Sequence, residues 1–219
     1  MNKTFTFYEK HKNFWTKENA ASFGMSVFFF LVAMSVQHIA DAYVNRLRGT
    51  AVDDLLLSNL PVLDIDALII LGALVLTLIL LFLGFLKPKY VNFGLKSMAL
   101  FIVVRSFLIS LTHLGADPGQ LVLDPNSFGF GLYNILFNAK NDFFFSGHTG
   151  VPFLAALIFW PETKWRYFFL AVSFAFGAAV LFAHMHYSID VFAAPFITYS
   201  IFALTKHLFP QDYEISRRE

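Results

Sequence analysis

Two short segments of this sequence hold the residue types that phosphoryl chemistry needs. In Asp142-Phe-Phe-Phe-Ser-Gly-His-Thr149 a Ser-Gly pair immediately precedes a histidine where an apolar stretch begins. The exposed N–H groups of a helix N-terminus, with Gly147 permitting close approach, suit a phosphate oxyanion. The Ser146 and Thr149 hydroxyls would add donors, and His148 would point at the ester oxygen. Read alone, the same segment is also an N-cap followed by an interfacial histidine.

The second segment is Ala183-His-Met-His-Tyr-Ser-Ile-Asp-Val191. His186 and Asp190 are four apart, so on a helix they share a face and the carboxylate can accept from one imidazole nitrogen. That contact fixes the tautomer and leaves the other nitrogen as a nucleophile or base. An aspartate at a helix start also serves as a simple cap.

The elements that must carry these groups are membrane spans. The chain has 219 residues, of which 57% are hydrophobic and 14% charged, against about 45–50% apolar and about 25% charged in soluble domains. Stretches of about 20 mostly apolar residues, long enough for a ~30 Å hydrocarbon core, fall at 21–43, 67–86, 96–114, 147–160, 166–183 and 189–209. The fourth is short, bounded by Pro152 and Pro161, and could be embedded rather than spanning. The reading is an all-α integral membrane protein, a six-transmembrane-helix bundle. Segment 1–20 precedes it as a polar, partly amphipathic N-terminal segment rather than a signal peptide, and 210–219 follows as a tail.

Charge orients the bundle. With loops assigned alternately, Lys3, Lys10, Lys12, Lys17, Lys87, Lys89, Lys96, Lys164, Arg166, Lys206, Arg217 and Arg218 fall on one side, against Arg46, Arg48 and Lys140 on the other. By the positive-inside rule both termini are cytoplasmic. The opposite rim is acidic, with Asp53, Asp54, Asp64, Asp66, Asp117, Asp124 and Asp142, and the same rim receives His148, His186 and Asp190. Arg105 lies inside the third span, where an ionisable side chain is costly and marks a site candidate. The irregular stretch 115–131 reads either as a lid or as a passive connection.

Several classes are excluded or disfavoured, with a proton-coupled transporter kept as a further alternative. The absence of cysteine removes disulfides, thiolate zinc sites and cysteine nucleophiles. A net charge of +1 without a basic stripe gives no sign of a nucleic-acid partner. A metal centre built from His184, His186, Asp190 and His148 is disfavoured, because His184 and His186 are two apart and face different ways on a helix. A proton-coupled transporter would need a polar path to the far side, and between His148 and Glu162 nothing ionisable occurs.

Together with Val104-Arg-Ser-Phe-Leu-Ile-Ser-Leu-Thr112, the segments Asn141-Asp-Phe-Phe-Phe-Ser-Gly-His-Thr149 and 183–191 resemble the type 2 phosphatidic acid phosphatase superfamily, and within it the sphingomyelin synthase-like branch. The likeness runs from Leu60-Pro61 to about Phe209. It implies a six-span bundle in which His186 attacks phosphorus to give a phosphohistidine and Asp190 orients it. His148 would protonate the leaving oxygen and later activate the acceptor. Arg105 would pair with the phosphate or with Asp142, which stands six before His148 as in the synthase-like pattern. Where the phosphatase branch has a Ser-Arg pair, this chain has Ala179-Val180, and the lysine-rich first phosphatase motif is not evident; both departures favour the synthase-like branch.

The expected function is therefore a membrane lipid phosphotransferase. A phospholipid donor gives its phospho-headgroup to a lipid alcohol, ceramide or diacylglycerol, and no cofactor or metal is implied. The alternative acceptor is water, which would make the chain a lipid phosphate phosphatase. The shorter chain, without an N-terminal accessory domain, suggests a bacterial inner membrane with the site on the periplasmic face. His113 and His184, near the same rim, are secondary candidates, and Tyr187 and Trp160 read as interface anchors.

Overall fold

A computed structural model describes residues 6–47, 49–137 and 143–218. Nine α-helices run through them: α1 (Phe7–Phe14), α2 (Lys17–Val44), α3 (Asp66–Leu86), α4 (Val91–Leu111), α5 (Phe130–Phe137), α6 (Gly147–Ile158), α7 (Thr163–Phe182), α8 (Ser188–Leu208) and α9 (Pro210–Arg217). No strand is formed among the described residues; one isolated bridge pairs Thr50 with Leu114.

Five helices are long and apolar enough to cross a membrane: Lys17–Val44, Asp66–Leu86, Pro88–Leu111, Thr163–Phe182 and Ser188–Leu208. Four of them match expected stretches to within four residues at each end; the helix expected at 96–114 begins eight residues earlier, at Pro88. The sixth, 147–160, forms only the 12-residue α6, about 18 Å long and too short to cross a ~30 Å core alone.

The shortness of α6 has a local cause at each end. Ser146 caps its N-terminus, its hydroxyl accepting from Thr149 N–H at 3.4 Å, and Phe159 leads into a turn that carries Pro161 and Glu162. Between these ends α6 is core: Leu154 and Ala156 are fully covered, and Ala155, Leu157 and Ile158 nearly so. Small residues let its neighbours close in. A Cβ on Gly150 would lie 2.8 Å from the Phe101 ring of α4 and 3.0 Å from Thr198 Oγ1 of α8.

Around α6 the large apolar cluster joins Leu76 and Leu83 of α3, Phe93 and Phe101 of α4, Phe169 and Phe176 of α7, and Ile201 and Phe202 of α8. Outside it, α2 lies on α4 through Ala33, Ala99 and Ile102.

The end of the bundle away from the two histidine segments is closed by α1 and α9. His11 of α1 accepts from Trp15 Nε1–H on its Nδ1 at 3.1 Å, so Nε2 carries the proton and donates to the Phe85 carbonyl at 2.8 Å. One of the orphan carbonyls ending α3 is thereby satisfied. Arg217 of α9 donates to the Leu157 carbonyl at the end of α6 at 3.0 Å. Lys96, almost fully buried in α4, pairs with Asp212 of α9 and donates to Ser22 Oγ of α2 at 2.8 Å, while Ser22 donates to the other Asp212 oxygen at 2.7 Å.

Removing one member of such a pair strands the other charge. Lys96→Met is expected to lower stability by about 3–5 kcal/mol, read as a drop in thermal unfolding temperature in detergent. The double variant Lys96→Met with Asp212→Leu recovers most of the loss.

Candidate active site

The two histidine segments meet at the opposite end, where the N-termini of α6 and α8 come together. The chain leaves α7 through Ala183, turns at His184 with φ +51, and closes with Met185 N–H donating to the Val180 carbonyl at 2.9 Å. This turn delivers His186 and starts α8 at Ser188.

Asp190, in the first turn of α8, is fully buried. Its Oδ2 accepts from the Tyr187 N–H at 3.1 Å and lies 3.3 Å from His186 Nδ1. The carboxylate therefore caps the helix and holds a proton on Nδ1, which leaves Nε2 with its lone pair. Its backbone is used as well: the Asp190 carbonyl accepts from Ser146 N–H at 2.9 Å, tying the start of α6 to the start of α8.

That tie brings the histidine rings together. The His148 and His186 ring centroids are 6.3 Å apart. Phe143 edges His186 at 6.4 Å and Phe176 edges His148 at 5.9 Å, so the space between the imidazoles has apolar walls. Pro152 of α6 has no N–H to return to the His148 carbonyl, which loosens the first turn where His148 sits.

Arg105 of α4 supplies the cation. Its guanidinium lies against Gly147, where a Cβ would stand 3.4 Å from Nε and 3.7 Å from Nη2, and Nε–H donates to the Phe145 carbonyl at 3.4 Å. Fixed positive charge and helix N-terminal N–H groups thus occupy one spot, the arrangement that binds phosphate oxygens. Ala179 and Val180 are buried in α7, and the guanidinium that lies against Gly147 comes from α4.

Ser146 is fully buried and its oxygen is occupied by the α6 cap. Thr149 is buried as well; its hydroxyl turns into the α6–α7 interface, 3.3 Å from where a Cβ on Gly177 would stand. Asp142 lies outside the described residues.

The secondary histidines are held apart from the pair. His184 sets Nδ1 3.0 Å from Asp117 Oδ1 and Nε2 3.2 Å from the Leu60 carbonyl, pinning two loops to the α7–α8 turn. His113 Nε2 lies 3.4 Å from the Tyr43 hydroxyl. Among the described residues no group of three or more His, Cys, Asp or Glu side chains gathers as a metal ion would require.

Tyr133, Asp54 and Asp117 join the rim without having been singled out as site residues from sequence. The Tyr133 hydroxyl of α5 lies 3.2 Å from His148 Nε2. Tyr187, read above as an interface anchor, is buried, donates to the Gly115 carbonyl at 2.8 Å and accepts from Val52 N–H at 3.3 Å; burial pushes its phenol up from the ordinary value.

Asp54 caps α8 from a distant loop, accepting from Ser188 N–H at 2.7 Å with Oδ2 and from Leu56 and Leu57 N–H with Oδ1. Burial pushes its carboxyl up, but the donated N–H groups outweigh this and hold it below the ordinary value. A depressed folded pKa means a contribution that is present above about pH 3.9, the unfolded value, and lost as pH falls through the folded one. Asp54→Ala is expected to cost about 1 kcal/mol at neutral pH. The gap from wild type should close only in strong acid, as thermal unfolding along a pH series would record.

No curated protein and no solved structure matches the chain. Residues 141–208, which contain both histidine segments, match the family model described as PAP2 superfamily C-terminal, and this match supports the PAP2 superfamily.

Proposed function

We propose that the chain is a membrane lipid phosphotransferase that moves a phospho-headgroup from a phospholipid to a lipid alcohol, ceramide or diacylglycerol, through a phosphohistidine at His186. The carrying observation is the His186–Asp190 contact facing His148 across 6.3 Å. The family match points the same way, toward phosphatase or phosphotransferase chemistry on lipid phosphoesters.

In the first half-reaction the donor phosphate sits between the rings, its non-bridging oxygens against Arg105 and the Gly147 N–H. His186 Nε2 forms the P–N bond as the bond from phosphorus to the diacylglycerol oxygen breaks, and His148 gives that oxygen its proton. The imidazole becomes cationic on phosphorylation, and Asp190 stabilises it through Nδ1–H. In the second half, His148 takes the proton of the acceptor alcohol, whose oxygen forms the new P–O bond as the P–N bond breaks. Positioning and fixed charge do most of the work in phosphoryl transfer.

The leaving and accepting alcohols are both membrane lipids, which suits a site whose walls are apolar and whose frame is a bundle of membrane-length helices. On this reading the acidic rim faces away from the cytoplasm, the periplasm for a bacterial inner membrane.

The test is an assay of purified protein with a phospholipid donor and ceramide or diacylglycerol, following lipid product and free headgroup phosphate by mass spectrometry. The wild type is expected to form a new headgroup-bearing lipid, and His186→Ala none. Asp190→Asn should lower kcat on the order of 10²–10⁴-fold. Release of phosphate or phospho-headgroup without a new lipid would make water the acceptor, and equal activity in His186→Ala would remove the catalytic assignment.

A further inference from the structure

The segment between α4 and α6 contains a helix that belongs neither to the spans nor to a solvated loop. The α5 sequence Phe-Gly-Leu-Tyr-Asn-Ile-Leu-Phe carries no charge and is apolar on every side but that of the half-buried Asn134. A helix of that kind is stable when it is covered on every side by protein or by hydrocarbon. Among the described residues, protein packs against one side of α5. Phe130, Tyr133 and Phe137, spaced i, i+3, i+7, pack with Ile69, Ile70 and Ala73 of α3. On the other side Leu132 is 54% and Ile135 78% exposed.

The depth of α5 follows from what it touches. The approach begins at a polar turn: Asp124 accepts from Asn126 N–H at 2.9 Å, and Ser127 donates to Asp66, the first residue of α3, at 2.7 Å. Gly129 then takes φ +85 and turns the chain inward, so close to α3 that a Cβ there would meet Leu74 at 2.9 Å, Leu71 at 3.4 Å and Ile70 at 3.6 Å. Those residues lie four to eight positions into α3, about 6–12 Å below its start, within the reach of one leaflet of a ~30 Å core. Leu68, Leu71, Val75 and Leu78 of α3 are exposed, and Leu71 among them lies 3.4 Å from where a Cβ on Gly129, at the start of α5, would stand.

We infer that α5 is immersed in the leaflet at the site-bearing end of the bundle, its outward face covered by acyl chains, and that Tyr133 is a positioning residue holding His148 from the lipid side. The hydroxyl stands 3.2 Å from His148 Nε2, with the two rings inclined by 25°. A phenol both donates and accepts. With Nε2–H donating to the hydroxyl, His148 exchanges its proton at Nδ1, and Nε2 keeps its own proton and its phenol partner whether the ring is acting as acid or as base. Phosphorus chemistry at His148 is thus separated from hydrocarbon by one helix.

The immersion is independent of the activity, whereas the role of Tyr133 rests on the phosphotransfer reading. The chain has no cysteine, so single cysteines report on their own positions in phosphatidylcholine vesicles. Ile135→Cys is expected to react with a water-soluble maleimide at least about tenfold more slowly than Val122→Cys in the preceding loop. Once labelled with a fluorophore, it should be quenched by doxyl-labelled phosphatidylcholine as strongly as Leu78→Cys at the middle of α3. Reaction as fast as Val122→Cys without quenching would overturn the immersion. Tyr133→Phe is expected to lower kcat about tenfold with little change in KM, and to move the limb of the pH profile that reports His148 by about one unit. An unchanged kcat and pH profile, with His186→Ala inactive, would overturn the positioning role alone. Full activity in His186→Ala would instead overturn the phosphotransfer reading itself.

Discussion

The site depends on one buried carboxylate. Asp190 has no exposed surface, and among the described residues its Oδ1 has no hydrogen-bond partner. A buried carboxylate with an unfilled oxygen is costly. Here the cost is spread over three tasks: closing the N-terminus of α8 through Tyr187 N–H, fixing the His186 tautomer, and, through its backbone oxygen, anchoring Ser146 at the start of α6. The unfilled oxygen is also a reserve of negative charge beside an imidazole that turns cationic in the proposed reaction. Ground-state stability is traded for a field that matters when the ring changes charge.

How much of this could be seen before the fold follows from the range of each interaction. Apolar runs located four helices to within four residues at each end, because length and hydropathy are local properties; α4 starts five residues before the expected 96, since Lys96 lies buried inside it. The shortness of α6 was legible in the run 147–160, and the helix ends two residues sooner, at Ile158. His186 and Asp190 were visible because their contact closes within one helical turn. Arg105 stood out as a charge inside an apolar run, but its seat against Gly147 joins residues 42 positions apart and only the fold reveals it. Asp54, which reaches Ser188 across 134 positions, looked like one more acid on an acidic rim. Tyr133 sat just beyond the irregular stretch 115–131, in the connection between two apolar runs, though the spacing of Phe130, Tyr133 and Phe137 carried a helical signal.

The two ends of the bundle solve opposite problems. At the site end, loops are stitched onto helix termini by backbone bonds, as where Leu63 and Leu121 N–H donate to the Phe182 and Ala183 carbonyls that end α7. Polar groups there are held in place, with His186 and Asp190 buried and His148 partly so. At the other end Lys96, Ser22 and Asp212 form a closed polar knot with little exposure, and apolar contacts seal around it, such as Phe93 against Phe202 and Tyr213. One end is stitched through loop backbone, the other locked through a buried ion pair.

The helix α6 joins these ends mechanically. Its first turn is fastened to α8 through Ser146 and its last turn to α9 through the Leu157 carbonyl, and between them a helix behaves as a stiff rod held by close packing on every side. A rod pinned at both ends transmits displacement along its axis. The Arg217 contact from α9 and the Ser146 tie to α8, about 16 Å apart along α6, therefore set the height of the turn that carries His148 against both neighbours at once.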